Sequence, residues 1–391
     1  MSDNIDLLIK NARLIDAEEP VDIAIEGDEI VVVGQGVDLS SKKELDASGR
    51  LTIPGFVDAH MHLDHALLGG DAKWMARTLG DSEVVIRGGR RTIDSEGLKN
   101  NARKAAKTVL GYGTTAARTH VNVDKLFGLR EMKAMLELKK ECSSWIDLQL
   151  VAFSSGDTLT TSKESESFLR QAMELGADVV GGLPNLDPEP EKYLDIIFDV
   201  AKEHNAIIDL HVDESNDPKN QVLELYADKT LENGYEGKVT ASHCCALSAY
   251  SDEHARRVIR KVKEAEMSII SNPFTNLYLL SEDGKPNGVT RVKELLDAGV
   301  NVVYATDNMN DGYNSLGNGD MLLAALFLAY QKKLDGKRAF SNILKMGTAG
   351  AAKATGIIEN YGIKEGGRAD LVILDAETPW DAIVFQAKDH M

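Results

Sequence analysis

The chain has 391 residues, of which 43% are hydrophobic and 27% charged, a composition typical of a globular protein with a large buried core. Its formal net charge of −18 excludes a nucleic-acid-binding protein that works through a basic surface, because neutralising phosphates requires an excess of Lys and Arg. The three cysteines predict no disulfide framework, so we expect a reducing compartment.

The amino-terminal residues lack the basic segment and the long apolar segment of a signal peptide. No uncharged stretch reaches the roughly 18 residues that a membrane helix requires. We therefore expect a cytoplasmic protein with no membrane contact.

The two ends of the chain predict a small β domain. Residues 5–50 alternate short apolar runs with Gly and Asp turns, which predicts several short antiparallel strands. We interpret residues 1–53 as the amino-terminal part of a β-sandwich. Residues 358–391, with a strand after a Gly-Gly turn, form its carboxy-terminal part, which we expect to lack its last strands because the chain ends soon afterwards.

Residues 54–357 alternate apolar strands with amphipathic helices, for example at 127–141 and 190–204, and end in an Ala/Gly-rich helix at 348–355. This alternation is typical of a parallel sheet with helical crossovers. Eight strand candidates predict an α/β protein with a closed (β/α)8 TIM-type barrel. An open doubly wound sheet would carry a Gly-rich phosphate turn after its first strand, where this chain has histidines. The predicted strands span residues 56–62, 114–121, 147–153, 179–184, 207–213, 238–244, 267–272 and 301–306.

Candidate metal ligands follow several of these strands. His60 and His62 lie two residues apart, so they share one face at the end of the first strand, where barrel active sites lie. Alone, the pair could equally be two ordinary hydrogen-bonded residues. His211, His243 and Asp307 end other strands, so all five side chains should converge. We predict His60, His62, His211 and Asp307 as ligands of one divalent ion, zinc or iron with manganese possible, leaving a position open for water.

Glu214 lies three residues after His211, where the chain leaves the fifth barrel strand. A carboxylate there can take a proton from water and deliver it to a leaving group, unless it is only a solvated loop acid. His243 could be a fifth ligand, or it could orient water and stabilise charge on the substrate, which is the role we prefer. Strands 147–153 and 179–184 contain no lysine, which favours one ion over two bridged by a carboxylated lysine.

Other residues near the predicted mouth have simpler interpretations. His65 and His120 are expected to be hydrogen-bonding loop or strand residues, and Cys244 and Cys245 are expected to be buried. The basic run at residues 87–91 fits either a solvated helix face or a substrate contact.

Taken together, these segments resemble the amidohydrolase superfamily and, within it, the bacterial cytosine deaminases. The resemblance spans nearly the whole chain and implies the same metal ligands, Glu214 as the proton shuttle, and His243 at the water and the substrate. It also implies that Asp307 accepts a hydrogen bond from the attacking water. The segments that carry it include Pro54-Gly-Phe-Val-Asp-Ala-His-Met-His-Leu-Asp, Arg118-Thr-His-Val-Asn-Val-Asp, His211-Val-Asp-Glu, Val239-Thr-Ala-Ser-His and Asn272-Pro-Phe-Thr-Asn.

Two departures from the cytosine deaminase pattern concern the substrate. Those enzymes carry Pro-Gln after the Ala-Phe of the third strand, and the Gln reads the amide edge of the pyrimidine, whereas this chain has Ser154 and Ser155. A second aspartate follows their strand-eight aspartate, whereas this chain has Asn308, as in the related N-isopropylammelide amidohydrolases. We therefore expect these three residues to bind substrate and cytosine itself to fit poorly.

The resemblance implies hydrolytic removal of an exocyclic amino or alkylamino group from a small nitrogen heterocycle, a pyrimidine or an s-triazine. Ring opening of a cyclic amide is a second hypothesis, and it would yield a new carboxylate instead of a free amine. A catalytically inactive barrel scaffold is a third, but such proteins lose ligands, whereas every predicted ligand is present here. Beyond a small-molecule substrate, we expect self-association into a homo-oligomer.

Overall fold

The structure is a computed structural model, and it describes residues 5–68, 79–154, 160, 162–281, 288–357 and 359–387. Its strands are β1 (Ile5–Ala12), β2 (Val21–Glu26), β3 (Glu29–Gly34), β4 (Ser41–Asp46), β5 (Thr52–Pro54), β6 (Phe56–Met61), β7 (Thr114–Val123), β8 (Asp147–Ser154), β9 (Val179–Gly182), β10 (Ile207–Val212), β11 (Val239–His243), β12 (Ser268–Ser271), β13 (Asn301–Tyr304), β14 (Gly367–Arg368) and β15 (Leu371–Ile373).

The helices surround the barrel or connect it to the small domain. Across the described ranges, none is long and apolar enough to cross a bilayer. They are α1 (Leu79–Thr92), α2 (Ser95–Gly111), α3 (Arg130–Cys142), α4 (Lys163–Leu175), α5 (Pro190–Glu203), α6 (Val222–Asn233), α7 (Asp252–Glu264), α8 (Pro273–Leu280), α9 (Val292–Asp297), α10 (Met321–Lys332), α11 (Lys337–Met346), α12 (Ala349–Thr355) and α13 (Pro379–Val384).

The small β domain brings both ends of the chain together, as the sequence predicts. Its larger sheet has the order β14, β3, β2, β1, β4, and its smaller sheet pairs β15 with β5. Ile9, Ile23 and Ile30 of the larger sheet belong to one buried cluster, and the partly buried Leu371 and Ile373 of the smaller sheet pack against it. Strands β1, β2 and β3 pair antiparallel, as the sequence predicts, whereas β4 pairs with β1 in parallel.

Strands β6 to β13 form a parallel sheet in sequence order, and this sheet closes into the predicted barrel. At the closure, the backbone N–H of His62 donates to the carbonyl of Asp307 at 3.2 Å, and the N–H of Asp307 donates to the carbonyl of His60 at 2.9 Å. The two strand ends that carry these three predicted ligands are therefore joined by backbone hydrogen bonds.

Each of the eight predicted barrel strands is present, with ends that differ by no more than two residues. Strand β9 ends at Gly182, before the predicted limit of 184, because the chain turns into a short 3-10 helix at Pro184. Any side chain larger than hydrogen at Gly182 would collide with the Tyr193 hydroxyl. That hydroxyl accepts a hydrogen bond from the Leu183 N–H at 2.9 Å, which fixes where the chain leaves the strand.

Candidate active site

The five side chains that the sequence places at strand ends do converge at the mouth of the barrel. His62 Nε2 lies 3.2 Å from His211 Nε2. Asp307 Oδ1 lies 3.5 Å from both His60 Nε2 and His62 Nε2. All of these side chains are buried, so three imidazoles and one carboxylate share a small volume.

The spacing of these atoms fits a divalent ion. Ligand atoms about 2.0–2.1 Å from a tetrahedral zinc ion lie about 3.4 Å from one another, close to the three distances observed. His60 Nε2 and Asp307 Oδ2 are buried and form no hydrogen bond with any described residue. A buried polar atom without a partner is costly, and an ion coordinated by the four side chains would satisfy both atoms.

Local electrostatics favours the forms of these side chains that bind metals. Burial and neighbouring imidazoles lower the pKa of His62 and of His211 well below the usual value, so both rings are neutral near pH 7. Burial acts to raise the pKa of Asp307, but the nearby imidazoles of His60, His243 and His62 outweigh it and lower the pKa. A neutral imidazole and an ionised carboxylate are the ligand forms.

Two of the site residues have a backbone conformation that a β-strand does not supply. His243 and Asp307 adopt left-handed conformations, with φ of 68° and 63°. For a residue other than glycine this costs on the order of 1–3 kcal/mol and is common at functional sites. His243 is the last residue of β11, and Asp307 lies three residues after the end of β13.

Glu214 lies beside the cluster and against His243. Its Oε1 is 3.2 Å from His243 Nδ1. Burial, and then the charge of Asp307, raise the pKa of Glu214 well above the usual value, and burial lowers the pKa of His243 to about 3. A carboxyl group whose pKa is raised toward neutrality is suited to exchange protons near pH 7.

Asn276 of helix α8 contacts both of these residues. Its Nδ2 lies 2.9 Å from His243 Nδ1 and 3.4 Å from Glu214 Oε1. No single motif predicted a role for Asn276, and its only signal was membership of the Asn272-Pro-Phe-Thr-Asn segment. One turn of helix α8 separates these two asparagines, and Asn272 Nδ2 also lies 3.2 Å from His243 Nε2.

A cavity of about 420 Å³ opens directly onto the cluster. Its apolar wall includes Ile86, Phe153 and Leu183, and its polar groups include Asn122 and Asn308. Volumes of about 300–1,000 Å³ are usual for small-molecule sites, so one or two rings fit here.

The three residues expected to bind substrate have different positions. Asn308 lines the cavity, whereas Ser154 ends strand β8 and is not among the lining residues. Ser155 lies outside the described residues. The Asn308 amide is oriented by two neighbours, since its Oδ1 accepts from Thr275 Oγ1 at 3.0 Å and its Nδ2 donates to Asp311 Oδ2 at 2.9 Å.

Arg90 shows that the basic run at residues 87–91 is not simply a solvated face. Arg90 lines the cavity and is only 3% exposed. It pairs with Asp124 at 2.9 Å and Glu131 at 3.2 Å, and its guanidinium lies over the Phe127 ring at 4.4 Å. The solvated interpretation is therefore wrong for Arg90, whose charge is balanced inside the cavity wall.

The remaining histidines and cysteines near the mouth are also buried. His65 Nδ1 pairs with Asp64 at 2.9 Å, as expected of a hydrogen-bonded loop residue. His120 differs, because neither of its ring nitrogens has a hydrogen-bond partner in the described part of the chain. Cys244 and Cys245 are free and buried, which confirms their expected burial.

Comparison with known proteins agrees with this geometry. The chain matches the amidohydrolase family over residues 51–391. It is 34% identical over 395 residues to N-isopropylammelide isopropyl amidohydrolase from Pseudomonas sp. strain ADP, with 99% of this chain and 95% of that protein covered. A 5-methylcytosine deaminase structure from Klebsiella pneumoniae, liganded with 5-fluorocytosine, superimposes with a TM-score of 0.92 at 32% identity, covering 97% of this chain and 94% of that one.

A third relative is N-isopropylammelide isopropylaminohydrolase from Burkholderia multivorans, whose structure has a TM-score of 0.86 at 29% identity and covers 98% of this chain and 95% of that chain. The chain therefore belongs to the amidohydrolase family, whose members depend on metal ions. It is a hydrolase of C–N bonds, the reaction class that the names of these relatives share.

Proposed function

We propose that this enzyme removes an exocyclic amino or alkylamino group from a pyrimidine or an s-triazine by hydrolysis, with one divalent ion at the barrel mouth. The observation that carries the proposal is the placement of Glu214 and His243, 3.2 Å apart, on the cavity that also exposes His62, His211 and Asp307. Glu214 as the acid/base group, His243 as the polarising group and the metal site would then all face the same bound ring.

His60, His62, His211 and Asp307 would hold the ion, which we expect to be zinc or iron, with manganese also compatible. When bound, such an ion acts as a Lewis acid and lowers the pKa of water from 15.7 to about 7.

The side chains of the protein would supply the proton transfers. Glu214 takes one proton from the attacking water and passes it to the ring nitrogen. It then takes the second proton, from the hydroxyl now bonded to the same carbon, and passes it to the departing amine, which leaves a carbonyl on the ring. Asp307 accepts a hydrogen bond from the same water and orients it toward the carbon that bears the amino group. His243 stabilises the charge that develops on the tetrahedral carbon's oxygen.

The experiment that tests this proposal is a screen for released ammonia or alkylamine. Pyrimidines, pterins, purines and aminated triazines are incubated with the purified enzyme, and the products are identified by mass. We expect an intact ring that has exchanged an amino group for oxygen. Ring opening would instead produce a carboxylate, and a metal-loaded enzyme that releases no amine from any compound would contradict the proposal.

Within this panel, we expect cytosine to be a poorer substrate than a substituted pyrimidine or an aminated triazine. The reason is the pair Ser155 and Asn308, which replaces the residues expected to read the amide edge of cytosine. Each hydrogen bond gained or lost should change kcat/KM by roughly 2- to 12-fold. Cytosine turning over fastest in the unmodified enzyme would show that another residue reads that edge.

The contact between Asn308 and Asp311 dictates how a switch toward cytosine must be designed. Asn308→Asp alone would place two carboxylates at a distance that is now 2.9 Å, so it should lower all activities. Adding Asp311→Asn restores a donor and an acceptor at that contact. We therefore expect the triple variant Ser155→Gln/Asn308→Asp/Asp311→Asn, and not Asn308→Asp by itself, to raise kcat/KM for cytosine.

Two expectations from the sequence stay predictions. The three cysteines are all free and buried, which is compatible with the reducing, cytoplasmic location that the sequence predicts. Assembly into a homo-oligomer is testable by size-exclusion chromatography with light scattering.

A further inference from the structure

A hydrogen-bond network of buried side chains connects His60 to Arg118 inside the barrel. His60 Nδ1 lies 2.8 Å from Ser242 Oγ, and Ser242 Oγ donates to Asp209 Oδ1 at 3.0 Å. Asp209 Oδ2 accepts from Arg118 Nη1 at 2.7 Å. All four side chains are 0% exposed, so water does not compete for these hydrogen bonds.

Arg118 anchors this hydrogen-bond network because each N–H group of its guanidinium has an acceptor. An arginine carries five N–H groups and no acceptor. Besides Asp209, the acceptors of Arg118 are Gln149 Oε1 at 2.7 Å, Thr240 Oγ1 at 3.0 Å and the carbonyls of Thr355 at 3.0 Å and Ala354 at 3.4 Å. The guanidinium is therefore held in place, and it holds the Asp209 carboxylate.

The direction of each hydrogen bond follows from this anchor. A carboxylate only accepts, so the single hydroxyl proton of Ser242 is donated to Asp209. Ser242 Oγ can then only accept from His60, which must carry its proton on Nδ1. The neutral ring therefore presents a free lone pair at Nε2, the atom that lies 3.5 Å from Asp307 Oδ1.

We infer that Ser242, Asp209 and Arg118 are positioning residues that select the tautomer of His60 and orient its Nε2 toward the metal site. A partner at the second ring nitrogen is how proteins set the tautomer and basicity of a histidine ligand. His60 differs here from His62 and His211, whose Nδ1 atoms have no hydrogen-bond partner within the described ranges. The inference rests on the proposed role of His60 as a ligand.

The test is the affinity of the metal-free protein for zinc, measured by competition with a chromogenic chelator. We expect Ser242→Ala to bind zinc about 10- to 100-fold more weakly than the wild type, the usual effect of removing such a partner. Ser242→Thr keeps the hydroxyl and should bind like the wild type. The matched control is Ser271→Ala, which removes a fully buried barrel hydroxyl that has no hydrogen-bond partner among the described residues.

A second variant tests the proton direction. In Asp209→Asn the amide can donate to Ser242, which frees the hydroxyl proton to point at His60 Nδ1 and reverses the tautomer. We expect a loss of zinc affinity at least as large as in Ser242→Ala, and melting curves of the metal-free proteins verify that each variant is folded. Should either variant fail to fold, the other carries the test by itself.

The possible outcomes separate this inference from the proposed function. Wild-type zinc affinity in a folded Ser242→Ala or Asp209→Asn would overturn the positioning role and leave the proposed metal site intact. The same weakening in Ser271→Ala would also overturn it, because the effect would then be that of any lost buried hydroxyl. A wild-type protein that binds no zinc, iron or manganese would instead overturn the proposed metal site.

Discussion

Glu214→Gln is expected to keep the fold and the metal while turnover falls by about 10²–10⁴-fold. Glutamine has nearly the same shape and can keep its place beside His243 and Asn276, but an amide cannot carry a proton between water and the leaving amine. Because the lost interaction belongs to the transition state, kcat should fall while KM changes little.

The measurement is steady-state kinetics on the best substrate of the panel, with zinc content determined on the same sample. Asp217→Asn is the matched control, because Asp217 is an exposed acid that follows the same strand and caps a local turn with its carboxylate. We expect near-normal turnover in that control. A near-normal rate in Glu214→Gln would instead show that Glu214 is only a buried loop acid.

Removing the divalent ion should abolish hydrolysis altogether. Four buried side chains converge on one point, and strands β8 and β9 offer no lysine to bridge a second ion, so we expect one ion per chain by elemental analysis. Dialysis against a chelator should remove the activity, and one equivalent of a divalent ion should restore it. The melting temperature should rise on reloading, since only the folded chain offers the site.

Loss of one ligand should have the same effect as the chelator. His211→Ala is expected to lower both metal content and activity, with folding monitored by circular dichroism. The control is His254→Gln, which alters a histidine outside the cavity that pairs with Glu224 at 3.0 Å. Two bound ions, or full activity in the chelated protein, would contradict the proposed mononuclear site.

The raised pKa of Glu214 shows that the His211-Val-Asp-Glu motif does not specify the surroundings of its carboxylate. Three residues of spacing from His211 predicted a carboxylate near the mouth, but burial and the proximity of Asp307 depend on how distant segments pack. Asn276 and Arg90 belong to the same category, since each makes its important contacts with residues at least 30 positions away along the chain. No local pattern reports such contacts.

The sequence by itself determined the barrel, the position of its strands and the five side chains at its mouth. This was possible because alternation of apolar strands with amphipathic helices is a local pattern, and because parallel strands of a barrel end on one face. Once His60 and His62 are two apart on such a strand, their common direction follows from the period of the strand alone.

Only the tertiary structure decided the rest. The left-handed backbone at His243 and Asp307 and the parallel pairing of β4 with β1 are not specified by periodicity. The place of Ser154 outside the cavity lining differs from what the resemblance implied. The hydrogen-bond network from His60 through Ser242 and Asp209 to Arg118 joins residues of four different strands. Hydrogen-bond partners buried between strands are chosen by packing in three dimensions, whereas periodicity along one strand specifies only the face on which a side chain lies.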